Sequence, residues 1–324
     1  MIRIIVDMMG GDNGSAATKE AVSKFLKDHD DVEIIAVGAE EEIKDLACEK
    51  IYSTDVISME SGVMEVLRKK DSSMVKAIRA VGEKEADAVV SCGSTGAFLS
   101  ASTLILKKIP GVKRPALCTQ FPRLSDGGYI TVLDIGASNE NTAEEIAQFA
   151  YMGSLYNKAV NGVESPKVAL LANGTEEGKG SPEGKEAFAL MRNDPKINFI
   201  GNLEGNGVLY GEVDVLVSDG FTGNVFLKAS EGAVKGIGKV LKKGFTKNIF
   251  TKIGYLFAKG GVKEMKERMD PKKVGGAMLI GVNAIAVKAH GNSDAFAFYN
   301  GIDVAYKLAE AKLIDSIREG FAGE

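Results

Sequence analysis

The segment DVLVSDGFTGNVFLKASEG, residues 214–232, carries the densest group of polar residues that could do chemistry. A short apolar strand ends at Ser218-Asp219-Gly220, and after Gly223 and Asn224 the pattern continues as a helix that also holds Lys228. The free N–H groups at the start of such a helix form an anion site. A tightly packed strand-to-helix turn would explain the same glycines, so this segment alone leaves both interpretations open.

Four further strand ends carry glycine together with Ser, Thr, Asn or Asp. They lead into Met8-Met9-Gly10-Gly11-Asp12, Cys92-Gly93-Ser94-Thr95-Gly96, Gly136-Ala137-Ser138-Asn139 and Asn173-Gly174-Thr175-Glu176-Glu177. Ligands of open α/β sheets bind outside the carboxyl ends of the strands. The loop SCGSTG is the best phosphate candidate, although Ser94 and Thr95 are also ordinary helix caps. No loop matches a P-loop or a full dinucleotide-binding fingerprint.

Cysteine-based and histidine-based mechanisms have few candidates in this chain. The three cysteines form no CxxC pair and no metal-ligand spacing, so no metal site is expected. Cys92 has no basic neighbour in the sequence, which favours a small buried thiol over a nucleophile. His290 lies in KAHGNSD, where an apolar element ends before a new helix. It either contacts an anion or has a core or capping role, and the sequence leaves both open.

The composition is that of a soluble enzyme-sized chain rather than of a secreted, membrane-spanning or nucleic-acid-binding protein. Its 324 residues are 45% hydrophobic and 26% charged, with a net charge of −4 and a pI near 5.6. The N-terminus lacks the features of a signal peptide. The longest apolar run, Ala277–Ala289, is too short to span a membrane and is interrupted by Asn283 and Lys288. We therefore expect a cytoplasmic protein without a nucleic-acid partner.

Short β-branched runs alternate with helical patterns, which predicts an α/β fold with helices on both faces of a sheet. A predicted helix over Glu40–Lys50 follows this alternation. The runs Ala116–Gln120 and Ile130–Asp134 are separated by only nine residues, which predicts a hairpin and a mixed sheet. We expect a single domain, residues 1–324, with two subdomains that share a cleft.

The segment 240–273 differs from the rest because Val240–Met269 reads as one or two helices without a strand. Lysines lie on one side of this segment. The opposite side carries a stripe of apolar residues at helical spacing: Phe245, Ile249, Ile253 and Leu256, with Phe257 beside them. A basic polar face opposite an apolar face is typical of a helix that lies on a membrane surface. A helix packed on the core or on a second subunit gives the same pattern, and the pattern alone does not separate the two.

Taken together, the motifs of this chain resemble the bacterial phosphate acyltransferases of the PlsX type. The matching stretches are VDMMGGD at the start, DSSMVKAI at 71–78, SCGSTGA, RPAL at 114–117, NFIGNLEG at 198–205, DGFTGNVFLKASEG and KAHGNSDA. The resemblance implies a three-layer α/β/α fold related to phosphotransacetylases and to the isocitrate/isopropylmalate dehydrogenase group. It also implies a homodimer without a cofactor, and a projecting helical segment at 240–273.

The activity implied by the resemblance is transfer of an acyl group from acyl carrier protein to inorganic phosphate. The acyl phosphate would feed glycerol-3-phosphate acylation in phospholipid synthesis, at the inner face of the cell membrane. Implied partners are acyl carrier protein, phosphate, an anionic membrane surface and the membrane acyl-phosphate:glycerol-3-phosphate acyltransferase. The helical segment matches the position of a projecting hairpin in such proteins, which favours the membrane interpretation, with contacts through Phe245, Ile249, Ile253, Leu256 and Phe257.

Phosphate is already a competent nucleophile, so the reaction needs no catalytic triad, and the scarcity of histidine fits it. The site must hold phosphate, stabilise the tetrahedral oxyanion and assist the leaving thiolate. We expect His290, Asn224 and Lys228 to be catalytic. The residues expected to bind phosphate or the acyl group are Gly10, Gly11, Asp12, Gly93, Ser94, Thr95, Asn139, Asp219 and Ser293, among which Asp12 and Asp219 would orient other groups.

Three other functions compete with this one. A short-chain phosphate acetyl- or butyryltransferase that uses coenzyme A shares the chemistry but has no use for the basic amphipathic segment. An NAD-dependent dehydrogenase would need an Asp cluster for a metal and an Arg-rich substrate site, and the loops contain neither. A non-catalytic adaptor on a lipid surface would not explain the polar strand ends.

Overall fold

The fold is built on one eleven-stranded sheet, in a computed structural model that describes residues 1–59 and 63–323. The strands are β1 (Ile2–Asp7), β2 (Val32–Gly38), β3 (Glu49–Tyr52), β4 (Ala88–Ser91), β5 (Ala116–Pro122), β6 (Tyr129–Leu133), β7 (Lys167–Ala172), β8 (Asn198–Glu204), β9 (Val215–Val217), β10 (Gly276–Ile280) and β11 (Ile285–Ala289). The helices are α1 (Gly14–Asp28), α2 (Glu40–Ile43), α3 (Val63–Arg68), α4 (Ser73–Gly82), α5 (Thr95–Leu106), α6 (Ala143–Asn161), α7 (Pro182–Asn193), α8 (Gly220–Phe245), α9 (Ile249–Arg268), α10 (Ala295–Glu310) and α11 (Leu313–Phe321).

The sheet is mixed, and its strands run in two directions. Its order is β3-β2-β1-β4-β11-β10-β5-β6-β9-β7-β8. Strands β3, β2, β1, β4, β11 and β5 run one way, whereas β10, β6, β9, β7 and β8 run the other way. The loops after β1, β4 and β11 therefore lie at one end of the sheet, and the loops after β6, β7 and β9 lie at the opposite end.

Helices cover both faces of the sheet, which confirms the three-layer α/β/α prediction. Because side chains alternate along a strand, Ile4 of β1 packs into the core cluster that holds α1 and α10, whereas Ile5 packs into the cluster that holds α4 and α5. A third cluster joins β5, β6 and β9 to Phe226 and Leu227 of α8. Helix α8 thus lies over the middle of the sheet.

Two sequence-based assignments of elements have clear outcomes. The predicted hairpin between Ala116–Gln120 and Ile130–Asp134 is confirmed by the antiparallel pairing of β5 with β6. The predicted helix over Glu40–Lys50 is wrong after its first turn, because α2 ends at Ile43 and β3 then pairs with β2. Only Ile43 and Leu46 of that stretch are buried, which is too little apolar surface to hold a long helix on the core.

Helices α8 and α9 form a pair that we call the α8–α9 hairpin. Only Gly220 and Gly223 of α8 are buried, and no residue of α9 is buried. Phe257 and Leu256 of α9 are 88% and 69% exposed. The chain between the two helices interrupts the predicted stripe, so Phe245 belongs to α8 and packs half-buried against Tyr255, with ring centroids 5.3 Å apart.

Ile249 and Ile253 are exposed on α9 together with Leu256 and Phe257. The predicted helical segment at 240–273 is therefore present as parts of two helices, of which α9 carries the exposed apolar residues. Among residues 1–59 and 63–323, no helix combines the length and the apolar character that crossing a membrane requires.

Candidate active site

Asn224 is positioned by the close packing of α8 on the loop after β6. A Cβ on Gly223 would lie 2.0 Å from the carbonyl oxygen of Asp134, and a Cβ on Gly220 would lie 2.5 Å from Oδ2 of the same residue. Gly136 adopts a φ of +121°, and a Cβ there would lie 2.5 Å from Nδ2 of Asn224. The glycines of the segment are therefore required for packing, and this packing places the Asn224 amide beside the loop.

The loop after β6 is shaped by the buried carboxylate of Asp134. Its Oδ1 accepts backbone N–H groups of Leu117, Gly136 and Ala137 at 2.9, 3.0 and 2.9 Å, and its Oδ2 accepts the N–H of Ser138 at 3.1 Å. Burial raises the pKa of Asp134, and these hydrogen bonds oppose that rise. Asp134 thus fixes the loop against which α8 begins.

A cavity of about 480 Å³ lies along α8. Its polar wall includes Thr95, Asn224, Lys228, Glu231, Lys288 and His290. Its apolar wall includes Leu117, Phe121, Ile135, Leu209, Leu227, Val234, Ile237 and Val274. The structure therefore brings together all three predicted catalytic residues and one predicted substrate-binding residue, Thr95.

Helix α8 extends along the cavity from the loop after β6 to the loop after β11. Asn224, Lys228 and Glu231 follow one another at intervals of four and three residues, so they share one face of the helix. At a rise of about 1.5 Å per residue, Glu231 lies about 10 Å along the axis from Asn224. There its Oε1 lies 3.5 Å from Nε2 of His290, in the loop after β11. The hydrogen bond with His290 lowers the pKa of Glu231.

Lys288 and Glu231 are wall residues that the sequence-based site did not contain. Lys288 is only 6% exposed, and its ammonium donates to the backbone carbonyl of Ala289. Burial lowers the pKa of Lys288 to about 8. In the sequence, this lysine is visible as a charge inside the apolar run Ala277–Ala289, and Glu231 follows Lys228 by three residues on a helix.

The glycine loops after β1 and β4 pack against each other and against the loop after β11. A Cβ on Gly10 would lie 2.6 Å from the N of Gly93, and a Cβ on Gly11 would lie 2.9 Å from the carbonyl oxygen of Gly291. The N–H of Asp12 donates to that same carbonyl at 2.7 Å. Gly11 and Asp12 therefore contact Gly291, which lines the cavity, whereas Gly10 and Gly93 contact each other. The cavity wall contains none of these four predicted residues.

Two other predicted binding residues, Asp219 and Ser94, cap helices. Asp219 caps α8 by accepting the N–H and the hydroxyl of Thr222 at 2.8 and 2.6 Å. Ser94 caps α5, where its hydroxyl accepts the N–H of Ala97 at 3.5 Å. Ser293 is buried and Asn139 is exposed, both outside the cavity wall. Substrate binding by these residues stays a prediction.

The thiol of Cys92 is buried against the loop after β1. It is 3% exposed, and its Sγ donates to the carbonyl oxygen of Gly10 at 2.9 Å. Burial raises the pKa of Cys92 to about 12. This agrees with the interpretation of Cys92 as a small buried thiol.

Comparison with known proteins assigns the family. The model of a family described as "Fatty acid synthesis protein" matches residues 2–316. A phosphate acyltransferase from Staphylococcus aureus (strain bovine RF122 / ET3-1) is 40% identical over 323 residues, which cover 98% of each chain. A phosphate acyltransferase from Streptococcus uberis is 42% identical over 331 residues, covering 100% of this chain and 98% of the relative. The chain belongs to the phosphate acyltransferase family.

The predicted membership in the PlsX-type phosphate acyltransferases is thus confirmed, and with it an acyltransferase role in lipid synthesis. Among solved structures, a phosphotransacetylase from Streptococcus pyogenes matches this chain with a TM-score of 0.61. The match covers 97% of this chain and 94% of that one at 18% identity. At this identity the likeness concerns the fold, and the predicted relation to phosphotransacetylases is confirmed at that level.

Proposed function

We propose that this phosphate acyltransferase makes acyl phosphate from acyl-[acyl carrier protein] and inorganic phosphate. The observation that carries the proposal is the cavity along α8, which joins cationic and amide side chains to a long apolar surface. A ligand with one charged end and a hydrocarbon chain suits such a cavity. The apolar wall runs along α8 from Leu227 to Ile237, toward the exposed part of the hairpin.

In the proposed reaction, a phosphate oxygen attacks the carbonyl carbon of the thioester, a C–O bond forms and the C–S bond breaks. The Asn224 amide donates to the oxyanion of the tetrahedral intermediate, and the Lys228 ammonium attracts the phosphate. The departing thiolate keeps the electron pair of the C–S bond, and the His290 imidazole passes to it the proton that the attacking phosphate gives up. The Oε1 atom of Glu231 lies 3.5 Å from Nε2 of His290 and orients the ring.

The test of these roles is the rate of acyl phosphate formation, trapped with hydroxylamine, from acyl carrier protein loaded with a long acyl chain. We expect Asn224→Ala to lower kcat by about 10²–10³, the usual cost of one oxyanion donor. We expect His290→Ala to lower kcat by about 10²–10⁴, the usual contribution of a group that transfers a proton. Tyr210→Ala is the matched control, since Tyr210 is exposed and lies outside the cavity wall. Near-normal turnover by both folded site variants would show that the assignment is wrong.

A second candidate is transfer of a short acyl group from coenzyme A to phosphate, which the phosphotransacetylase fold favours. The two candidates differ in the carrier of the thioester and in chain length. Donors with the same acyl chain on acyl carrier protein and on coenzyme A separate them, each tested with a two-carbon and a long chain. We expect a long chain on acyl carrier protein to give the highest kcat/KM.

We also propose that the α8–α9 hairpin binds the anionic inner face of the cell membrane. Exposed Phe250, Leu256 and Phe257 on α9 stand among lysines, which suits an interfacial helix. Anionic vesicles should float the protein, and Leu256→Glu should abolish flotation while activity with soluble substrates remains. Tyr210→Glu, the same change at an exposed aromatic of the body, should float normally. Lost activity with unchanged flotation would instead indicate docking of acyl carrier protein, which is also acidic.

The remaining parts of the proposal concern the setting of the enzyme. We propose a cytoplasmic homodimer that passes its acyl phosphate to a membrane acyltransferase acting on glycerol 3-phosphate. An acyl phosphate with a long chain is amphipathic, so release beside the membrane keeps its chain out of water. Sedimentation tests the dimer, and acylation of glycerol 3-phosphate in vesicles that hold such an acyltransferase tests the transfer. No acylation despite acyl phosphate formation would refute the transfer alone.

A further inference from the structure

Lys288 is a buried cation in the wall of the cavity. It lies near the carboxyl end of β11, in register with Ser91 of β4 on one side and with Ala277 of β10 on the other. Its side chain is on the face of the sheet that α8 covers, and only 6% of the residue is exposed. Burying an ammonium costs several kcal/mol unless charge and hydrogen bonds compensate. The stability of the fold alone therefore does not explain why a lysine occupies position 288.

The contacts of Lys288 leave that compensation incomplete. In the part of the chain that the structure describes, no carboxylate oxygen lies within 4 Å of the Lys288 Nζ, and the ammonium donates a hydrogen bond to the Ala289 carbonyl. An ammonium carries three donors. Asp7 and Asp12 act on Lys288 only from a longer distance, and the Asp7 carboxylate already accepts the hydroxyls of Ser73 and Ser91 at 2.6 Å.

We propose that the Lys288 ammonium binds the phosphate group in the cavity, as the charge partner that the fold itself does not supply. This assignment rests on the proposed function, in which the cavity holds phosphate beside the acyl group. The bound anion would accept donors of the ammonium and neutralise a charge that is otherwise buried. Lys228, the other lysine of this wall, is exposed and faces Glu231, so it is less suited to fix the anion.

The charge of Lys288 gives phosphate binding a characteristic pH dependence. The ionisable groups around it are Asp7 at the end of β1, Asp12 and Cys92 in the loops after β1 and β4, and Lys228, Glu231, Lys235 and His290 around the cavity. On the opposite face of β11, α10 contributes apolar residues to the core. Because the pKa of Lys288 is lowered to about 8, phosphate affinity should fall above that pH, where phosphate itself is largely a dianion.

The experiment measures binding of inorganic phosphate by calorimetry to the full-length protein and to Lys288→Met, which keeps the length and shape of the side chain. We expect Lys288→Met to weaken phosphate binding by about tenfold to a hundredfold, the usual loss for a charged hydrogen-bond partner. Lys235→Met is the control, because Lys235 lines the same cavity but is 63% exposed. Its phosphate affinity should stay within a factor of about two of wild type.

Wild-type affinity measured between pH 7 and pH 10 supplies a second test that needs no variant, since deprotonation of Lys288 should remove the interaction. Unchanged phosphate affinity in folded Lys288→Met, or affinity that does not fall above pH 8, would overturn the assignment. Steady-state kinetics give a third readout, a raised KM for phosphate with an unchanged KM for the acyl donor. A wild-type protein that binds phosphate through Lys288 but forms no acyl phosphate would refute the proposed function and leave this inference standing.

Discussion

At the scale of single residues, Gly223 decides where the Asn224 amide lies. Alanine at 223 would bring a Cβ to 2.0 Å from the Asp134 carbonyl oxygen, a backbone atom that cannot rotate away. We expect Gly223→Ala to lower the free energy of unfolding by about 1–3 kcal/mol, the usual cost of overpacking. Urea denaturation measures this change, and turnover should fall as well because Asn224 moves with the helix.

Gly232 supplies the control for this substitution within the same helix. Nothing lies within 4 Å of a Cβ added there, so Gly232→Ala should leave stability unchanged or raise it by up to about 1 kcal/mol through helix propensity. If Gly223→Ala and Gly232→Ala changed the free energy of unfolding equally, the loop after β6 would be able to move away from the added Cβ. Contact with this loop would then not position Asn224.

Lys288 is also expected to cost stability, with a definite dependence on pH. The pKa of Lys288 is about 8 in the fold against the ordinary lysine value of 10.5, so the unfolded chain binds more protons between these two pH values. The free energy of unfolding therefore rises with pH through that window, and the full cost is present at pH 7. This lowering of the pKa corresponds to a cost of about 3 kcal/mol in the free energy of unfolding, since each pKa unit is worth about 1.4 kcal/mol.

We therefore expect Lys288→Met to raise the free energy of unfolding at pH 7 and to lose the extra rise toward alkaline pH. The measurement is the difference between variant and wild type in urea denaturation at several pH values, which cancels the titration of other groups. Lys235→Met, at an exposed position, should show no such difference. A pH-independent difference for Lys288→Met would contradict the buried-charge argument.

At the scale of elements, the α8–α9 hairpin is built from sequences that form weak helices. A Cβ added at any of seven glycines would have nothing within 4 Å: Gly232, Gly236, Gly238, Gly244, Gly254, Gly260 and Gly261. Packing therefore does not require these glycines, and each costs about 1 kcal/mol of helix stability relative to alanine. With no buried residue on α9, little tertiary contact offsets that cost.

This predicts fast amide hydrogen exchange in the hairpin compared with α10, which buries Phe298 and Ile302. Anionic vesicles should slow exchange in the hairpin, because its apolar residues leave water. The double substitution Gly236→Ala/Gly254→Ala should slow exchange without vesicles. Gly96→Ala, at an open helical position of α5, should leave exchange in the hairpin unchanged. A wild-type hairpin that exchanges as slowly as α10 would refute the argument.

The sequence predicts the elements whose signals are local and fails where pairing over long distances decides. The start of α8 is predictable because an apolar strand, a capping Asp219 and a helical pattern follow one another. The structure of Ala277–Ala289 is not predictable in this way, because the same apolar run suits a helix or a strand. It forms two strands in the structure, since β10 pairs with β5 and β11 pairs with β4. For that reason the sequence shows Lys288 as a charge inside an apolar run but does not place it in the site. Ser94 and Asp219 cap helices in the structure, and substrate binding by these two residues stays a prediction.

At the scale of the whole molecule, the site depends on the reversal of strand direction within the sheet. The loop after β6 and the start of α8 lie at one end of the sheet, and the loop after β11 with His290 lies at the other. Helix α8 runs from the first group to the second, so one helix brings Asn224 and the partner of His290 into one cavity. The function proposed for the cavity therefore requires both parts of the sheet.

The core predicts that both parts of the sheet unfold together, although the sequence predicts two subdomains. One cluster holds Ile4 of β1 and Phe149 of α6, with Met278 of β10 between the parts. We expect a single transition in denaturant and equal opening free energies for the most protected amides of β1 and β7. Phe149→Ala should lower both by the same amount, about 3–5 kcal/mol. Phe257→Ala, on the exposed hairpin, should lower neither. If Phe149→Ala lowered the protection of β7 alone, the two parts of the sheet would have separate cores that unfold independently. The cavity at position 149 would then weaken only the part that contains β7.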